Sequence, residues 1–240
     1  MQNQFSRTEI LIGKEALEKL KASRVAVFGI GGVGGYVCEA LVRTGVGAFD
    51  LIDDDKVCLT NLNRQIIATR KTVGQYKTDV MKERIHDINP DADVRVHQCF
   101  FLPENADRFP FEEYDYIVDA IDTVTGKLAL VERAVAVNKP IICCMGTGNK
   151  LDASAFQVAD ISKTSMCPLA RVMRKELSKR GIRHLKVVYS QEEAITPTGW
   201  EEEAAALGKW QIPGSVAFVP GAAGLLLAGE VVRDLTGFSR

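Results

Sequence analysis

The sequence predicts an α/β protein with a doubly wound, mostly parallel sheet. Short apolar runs alternate with amphipathic helical stretches from residue 24 to residue 144, the first run ends in a glycine-rich turn, and the second ends in three aspartates. Strands that alternate with helices require right-handed crossovers and therefore a mostly parallel, Rossmann-like sheet. After residue 144 the alternation changes, which predicts that later mixed or antiparallel strands extend the same sheet.

The elements of the first half follow from apolar periodicity and from the turn residues. The chain starts with a predicted helical arm in residues 1–22, whose helix runs from Arg7 to Lys21; the stretch MQNQFSRTEILIG lacks the basic start and apolar core of a signal peptide. The other expected elements are strand Arg24–Gly29, helix Val33–Arg43, strand Ala48–Asp53, helix Gly74–Ile88, strand Asp93–Phe100, a short helix near Pro103, strand Tyr116–Ala120, helix Val124–Asn138 and strand Pro140–Cys144.

The second half is less regular. We expect strand Ala155–Ala159, a basic helix Cys167–Arg180 and strand His184–Tyr189. Residues 191–211, QEEAITPTGWEEEAAALGKWQ, lack a clean apolar face and predict a mobile loop, since loops of this length are usually functional or disordered. The apolar run Val216–Val232 predicts a buried strand followed by a helix. A membrane span is the alternative, but the run is shorter than the ~20 apolar residues that a bilayer requires.

Composition favours one globular unit over residues 1–240. The chain is 46% hydrophobic and its formal net charge is −1, so no overall field attracts nucleic acid or an anionic membrane. The six cysteines form no C-x-x-C pair, which favours a reducing cytoplasm and no zinc site. Cys143 and Cys144 read as buried apolar residues. Cys167 precedes a helix start, where a reactive thiolate is the alternative to a structural role.

The glycine-rich turn GIGGVG predicts a nucleotide-binding turn. Gly29, Gly31 and Gly34 suit a tight strand-to-helix turn, a close approach of the backbone to phosphate, and close packing of the helix on the sheet. Nineteen residues after Gly34, Asp53 closes the second apolar run, where its carboxylate can bind ribose hydroxyls. These features alone are also typical of NAD and FAD enzymes.

Three charged residues shift the interpretation towards a triphosphate. Arg64, Lys77 and Asp122 lie near the ends of successive elements, and the carboxyl ends of parallel strands converge on one crevice. When a phosphorus atom of a triphosphate is attacked, negative charge develops on the phosphate oxygens and needs positive side chains nearby. The pyrophosphate of a dinucleotide does not react, and the N-terminus of a helix already stabilises its charge. Asp122 would then hold a magnesium ion. The alternatives are a solvated arginine, a surface lysine and a helix N-cap.

These motifs resemble a known family. GIGGVG, LIDDD, LTNLNRQ, GQYK and DAID occur in the order found in the ubiquitin-activating-enzyme-like adenylyltransferases, which activate carboxylates with ATP. The later stretches VADISKTSMCPLARVMRKELSKRGI, LKVVYSQE and GSVAFVPGAAGLLLAGEVVRDLTG resemble more narrowly the branch of tRNA threonylcarbamoyladenosine dehydratases. Together the two sets of motifs cover most of the chain.

The resemblance implies an activity and a site. It implies ATP-dependent activation of the threonyl carboxylate of threonylcarbamoyladenosine in tRNA, followed by cyclisation with loss of water. It also implies a homodimer in which Arg7, aligned through FSRTE, reaches the partner's phosphates in trans, so that Arg7, Arg64, Lys77 and Asp122 are the candidate catalytic residues. The candidate nucleotide-binding residues are Gly29, Gly31, Gly32, Gly34, Asp53, Asp55, Thr60, Asn61, Asn63, Arg64, Lys77, Asp122 and Thr123, with Asp122 as the Mg²⁺ ligand.

The substrate partner and the alternatives depend on other features. The segment at residues 160–190 is basic, and its seven cations from Arg171 to Lys186 predict contacts with the tRNA backbone, although most charged helices are simply solvated. One rival function is adenylation of the C-terminus of a ubiquitin-like sulfur carrier, with a sulfur-transfer protein as a further partner. The other is a dehydrogenase or a non-catalytic nucleotide-binding module.

Overall fold

The computed structural model describes residues 3–199 and 213–238. Within them the chain forms one seven-stranded sheet in the order β3-β2-β1-β4-β5-β7-β6. The strands are β1 Arg24–Phe28, β2 Ala48–Ile52, β3 Asp93–His97, β4 Tyr116–Asp119, β5 Ile141–Cys144, β6 Phe156–Asp160 and β7 Lys186–Ser190. The helices of the described residues are α1 Ser6–Ile12, α2 Lys14–Ala22, α3 Gly34–Thr44, α4 Lys77–Ile88, α5 Val124–Ala136, α6 Pro168–Lys179 and α7 Phe218–Thr236.

The sheet confirms the predicted fold class. Its first five strands and β7 run parallel, while β6 pairs antiparallel with β7 and forms one edge. The strand order reverses between β1 and β4, and in doubly wound sheets ligands bind beyond the carboxyl ends of the strands at such a switch point. The candidate nucleotide turn follows β1 directly, so it lies at this point.

Apolar clusters cover both faces of the sheet. On one side α3 and α7 pack with β1 and β2 in the largest cluster, which includes Val27, Leu41, Leu51 and Leu227. On the other side a cluster of aromatic rings around Phe28 packs beneath α5, with Phe101 in an edge-to-face contact at 4.9 Å between ring centroids. Fully buried strands of this kind explain why the sequence shows continuous apolar runs rather than alternation.

The structure corrects four predicted elements. The single N-terminal helix is wrong, because Gly13 adopts φ +87° and ψ 161° and separates α1 from α2. The helix expected from Gly74 begins only at Lys77, and the strand expected to reach Phe100 ends at His97. The strand-plus-helix expected at Val216–Val232 is instead the single helix α7.

Two further predictions concern the apolar C-terminal run and the loop at residues 191–211. Among the helices of the described residues, none is long and apolar enough to cross a membrane. Residues 191–199 contain neither helix nor strand, in agreement with the predicted loop, while residues 200–211 of that prediction lie outside the described residues.

Candidate nucleotide-binding site

The glycine-rich turn has a shape that only glycine permits at two positions. Gly29 adopts φ +91°, and a Cβ there would lie 2.7 Å from the carbonyl oxygen of Ala120. A Cβ at Gly34 would lie 1.8 Å from the carbonyl oxygen of Gly29. These contacts bring the turn against the chain that leaves β4, so the two strands at the switch point meet here.

The same turn is open at Gly31 and closely packed at Gly32. A Cβ at Gly31 would have the Gln65 side-chain nitrogen, at 3.8 Å, as its nearest neighbour, and a Cβ at Gly32 would lie 3.3 Å from Pro220. The turn continues into α3, whose free backbone N–H groups and positive dipole end attract anions. The turn can therefore receive a phosphate group at Gly31.

Asp53 is fixed to this turn. One of its carboxylate oxygens accepts a hydrogen bond from the backbone N–H of Ile30 at 2.7 Å, and the other accepts one from the N–H of Asp55 at 2.9 Å. Burial raises the pKa of the Asp53 carboxyl, and the opposing effects are the charge of Lys77 and the two backbone N–H groups. A carboxylate beside the turn is in the place where dinucleotide-binding proteins bind ribose.

Lys77 is a buried cation beside the same carboxylate. It is the first residue of α4 and is 5% exposed. Its ammonium lies 2.5 Å from a carboxylate oxygen of Asp55 and 3.7 Å from one of Asp53. The structure therefore brings Lys77 to the glycine-rich turn as the sequence predicts, and it shows Asp55 as a counter-ion of Lys77.

Arg64 lies beside Gly32 of the turn. Its Cγ would be 3.5 Å from a Cβ at Gly32, and its guanidinium donates to the carbonyl of Thr60 at 3.0 Å and to the Asn63 side chain at 3.1 Å. The side chain of Asn61 accepts from the N–H of Cys58, and that of Asn63 donates to the carbonyl of Ser215 at 2.9 Å. The two asparagines thus hold the loop that presents Arg64.

Asp122 and Thr123 complete this edge of the sheet. Asp122 is exposed in the loop after β4, and within the described residues its carboxylate makes no hydrogen bond or ion pair. The N-cap of α5 is Thr123, not Asp122, and the buried hydroxyl of Thr123 has no hydrogen-bond partner there. A free carboxylate suits a magnesium ligand, because this ion binds proteins through one or two carboxylates plus substrate phosphates.

Sequence reasoning missed a buried ion pair beneath this loop. The ammonium of Lys127 lies 2.9 Å from a carboxylate oxygen of Asp119 and donates to the carbonyl of Cys144 at 2.7 Å, and both charged side chains are fully buried. The Asp119 carboxylate also accepts from the N–H of Ile121. The pair joins the ends of β4 and β5 to α5, so it supports the loop that carries Asp122. No local motif indicates it, because the partners belong to different elements.

The basic segment does not form one cationic face. Arg174 donates to the carbonyl and the hydroxyl of Thr164, Arg180 pairs with Glu132 and Glu176, and Lys179 also pairs with Glu176. Lys186 pairs with Glu230 and Asp234. The three remaining cations are exposed and have no ion pair within residues 3–199 and 213–238; they are Arg171, Lys175 and Arg183.

Two other predicted residues lie apart from the turn. Arg7 is exposed on α1, next to Ile10 and Leu11, which are 86% and 74% exposed. Cys167 is the buried N-cap of α6 and packs with Met173 and Leu177, as expected for a structural residue.

A doubly wound sheet with a glycine-rich turn, a carboxylate beside that turn and two cations at its switch point is typical of a nucleotide-binding α/β protein. Comparison with known families makes this specific: the ThiF family model matches residues 5–240, so the chain belongs to the ThiF family.

Two relatives are similar to this protein over nearly the whole chain, and a third over little more than half of it. The tRNA threonylcarbamoyladenosine dehydratase of Bacillus subtilis is 45% identical over 242 residues, which cover 98% of this chain and 95% of the relative. The crystal structure of the Escherichia coli tRNA N6-threonylcarbamoyladenosine dehydratase in complex with ATP superimposes with a TM-score of 0.88 at 34% identity, covering 98% and 94% of the two chains. A sulfur carrier protein adenylyltransferase of Thermus thermophilus is 34% identical over only 58% of this chain and 52% of its own.

Proposed function

We propose that this protein is an ATP-dependent tRNA threonylcarbamoyladenosine dehydratase. It activates the threonyl carboxylate of the modified adenosine and closes a ring with loss of water. The observation that carries the proposal is the convergence of Arg64, Lys77 and Asp53 on one glycine-rich turn. Near-complete coverage of dehydratase relatives supports this branch over the sulfur-carrier adenylyltransferases, which match little more than half of the chain.

Each residue has a role in the bound state. The backbone at Gly31 and Gly32 receives phosphate, Asp53 binds the ribose hydroxyls, and Arg64 and Lys77 neutralise charge on the phosphates. Lys77 lies between Asp53 and Asp55 beside the turn, and it reaches the phosphates by leaving Asp55. Asp122 holds Mg²⁺, which neutralises phosphate charge and orients the phosphate oxygens when bound.

The chemistry consists mostly of positioning and charge stabilisation. A carboxylate oxygen of the substrate attacks a phosphorus atom of ATP, and the phosphate leaving group departs. The carbamoyl group of the same substituent then attacks the activated carbonyl carbon and loses a proton, and the original carboxylate oxygen leaves on phosphorus. Because the nucleophile and the electrophile belong to one side group, this ring closure is intramolecular and needs no catalytic cysteine.

The remaining partners are part of the proposal. Arg7 of one subunit completes the partner's site in a homodimer, and Ile10 and Leu11 beside it would be covered in that interface. The tRNA backbone is bound by the exposed cations Arg171, Lys175 and Arg183. A tRNA substrate fits the cytoplasmic location predicted from the cysteines, and a sulfur-transfer partner stays a prediction.

Mass spectrometry of digested tRNA tests the proposal. The protein is incubated with ATP, Mg²⁺ and tRNA that carries threonylcarbamoyladenosine, and the nucleosides are examined for loss of one water. We expect ATP-dependent loss, lowered by a factor on the order of 10²–10³ in Arg64→Ala, as when one charge-stabilising donor is removed. Arg43→Ala, at the far end of α3, should retain the activity. Pyrophosphate exchange with a ubiquitin-like carrier, and no dehydration, would move the assignment to the sulfur-carrier branch.

A further inference from the structure

The buried pair of Asp119 and Lys127 does more than stabilise the fold. Both side chains are fully buried, and a carboxylate oxygen lies 2.9 Å from the ammonium. Removing two charges from water costs about as much free energy as their attraction returns, so apolar residues of similar volume often give equal or higher stability. A stabilising role alone would therefore not require charged residues here. What distinguishes the pair from an apolar contact is the set of backbone groups that it binds.

The pair holds the chain on both sides of Asp122. The Asp119 carboxylate accepts a hydrogen bond from the backbone N–H of Ile121 at 3.2 Å. The backbone N–H of Lys127 donates to the carbonyl of Thr123 at 3.0 Å. The residues directly before and after Asp122 are therefore each bound to one member of the pair.

The ammonium of Lys127 also ties the start of α5 to the sheet. It donates to the carbonyl of Cys144, the last residue of β5, at 2.7 Å, and it pairs with Asp119 at the end of β4. One ammonium group thus sets the position of α5 relative to two strand ends. A shift of α5 would move Thr123 and, with it, the neighbouring Asp122.

The glycine-rich turn is anchored to the same segment independently of the pair. The N–H of Ala120 donates to the carbonyl of Phe28 at 2.8 Å, and the Ala120 carbonyl oxygen lies 2.7 Å from where a Cβ on Gly29 would be. Loss of the pair should therefore leave the turn in place and change the chain only beyond Ala120. There the Asp122 carboxylate is exposed and has no hydrogen bond within residues 3–199 and 213–238 that would fix it.

We propose that Asp119 and Lys127 are positioning residues for Asp122 and that they set the affinity of the ATP complex for Mg²⁺. This inference rests on the proposed function and deepens it, because it assigns the support of the predicted metal ligand to a buried ion pair. Removing a partner that orients a metal ligand typically lowers metal affinity by about 10–100-fold. The effect should therefore appear in Mg²⁺ binding rather than in nucleotide binding without the metal.

Titration with a non-hydrolysable ATP analogue tests this on the full-length protein. The readout is the ratio of its dissociation constant in EDTA to that in Mg²⁺. Wild-type protein should give a ratio well above one, and Asp122→Ala should bring it close to one. Asp119→Val combined with Lys127→Met should lower the ratio by a factor on the order of 10, while the dissociation constant in EDTA stays within about twofold.

The double variant separates positioning from stability, because it leaves no buried charge unpaired. Its urea midpoint should stay close to that of the wild-type protein. Asp50→Asn is the matched control, since it breaks the buried pair with Arg24 outside this loop. It should retain the ratio although it is less stable. If the double variant does not fold, Asp119→Ala combined with Lys127→Met applies the same test with a smaller side chain.

Three outcomes would refute the positioning role: a ratio near one in the wild-type protein, an unchanged ratio in the folded double variant, or the same loss in Asp50→Asn. Dehydration of the modified tRNA is measured separately, because the titration contains no tRNA. A wild-type protein that shows the pair-dependent ratio without dehydration would refute the proposed function and still support the positioning role.

Discussion

At the scale of single residues, the glycines of GIGGVG have two separable functions. Gly34 is required by packing, because a Cβ there would lie 1.8 Å from a backbone oxygen, whereas a Cβ at Gly31 would meet no protein atom closer than 3.8 Å. The same motif therefore contains one position that serves the fold and one that is open to a ligand.

This difference has a measurable consequence. Gly34→Ala should lower the free energy of unfolding by 1–3 kcal/mol or more, as overpacking does, because the backbone must shift. Gly31→Ala should keep the unfolding midpoint close to that of the wild-type protein and weaken ATP binding, because the added methyl group occupies the space that phosphate needs. Thermal unfolding and ATP titration distinguish the two. Unchanged ATP affinity in a folded Gly31→Ala variant would contradict phosphate binding at this position.

The residue scale also shows what the sequence could predict about the site. Arg64, Lys77 and Asp53 were predictable because each lies within a motif that follows a strand or begins a helix. Lys127 was not, because its importance comes from burial and from partners in other elements. In the sequence Lys127 is one of several charged residues on a helix, and only the structure shows that its ammonium pairs with Asp119.

At the scale of elements, the N-terminal arm depends on a break that periodicity did not predict. Residues 7–21 share one helical pattern, but Gly13 separates α1 from α2, and α1 then exposes two large apolar side chains. A short helix with exposed apolar residues and Arg7 is consistent with an arm that reaches a second subunit. The proposal of a site completed in trans can be tested directly.

Complementation between two inactive variants provides that test. Arg7→Ala and Arg64→Ala homodimers should each lack dehydratase activity. If Arg7 acts in trans, a heterodimer of the two contains one intact site, so equal mixing with subunit exchange should restore about a quarter of the wild-type activity. Activity after mixing is the readout, and mixing Arg7→Ala with itself is the control. If mixing restores nothing although subunit exchange is demonstrated, Arg7 acts within its own chain or has no catalytic role.

The charge of the basic segment, residues 160–190, could not be interpreted from its sequence alone. Its sequence suggests one cationic surface, but α6 is amphipathic, and neighbouring carboxylates neutralise several of its charges. Counting charges along a chain cannot show which are paired across helices, so the seven predicted contacts reduce to the three exposed cations. Strand and helix order, in contrast, were predictable, because buried parallel strands give long apolar runs that local sequence displays.

At the scale of the whole molecule, a buried polar network joins the edge of the sheet to its centre. Asp50, in the middle of β2, is fully buried and accepts hydrogen bonds from Arg24 at 2.8 Å and from the ring of His97 at 2.9 Å. Burial by itself would raise the pKa of Asp50, but the hydrogen bonds and charges of His97 and Arg24 outweigh it, so this pKa is lowered. The network connects β1, β2 and β3. Because the pKa of Asp50 is lowered in the folded protein, the free energy of unfolding should depend on pH.

The direction of that dependence follows from linkage. A carboxyl whose pKa is lower in the folded state than in the unfolded state stabilises the protein above its unfolded pKa of about 3.9. That contribution is lost as the pH falls from this value through the lowered folded pKa, because protonation removes the charge that pairs with Arg24 and accepts a hydrogen bond from His97. We therefore expect the free energy of unfolding to decrease when the pH is lowered below about 4. This decrease should be smaller in the Asp50→Asn variant than in the wild-type protein.

Urea denaturation between neutral and acid pH measures this directly. Asp50→Asn should be less stable than the wild-type protein at neutral pH, because the amide cannot replace the buried carboxylate that pairs with Arg24, and breaking such a buried pair costs about 3–5 kcal/mol. The two stability curves should approach each other as the pH decreases. Asp152→Asn is the control, since its pKa is also lowered but its side chain is exposed and it lies outside the network. Parallel curves for the Asp50→Asn variant and the wild-type protein would show that other carboxylates determine the acid sensitivity of this fold.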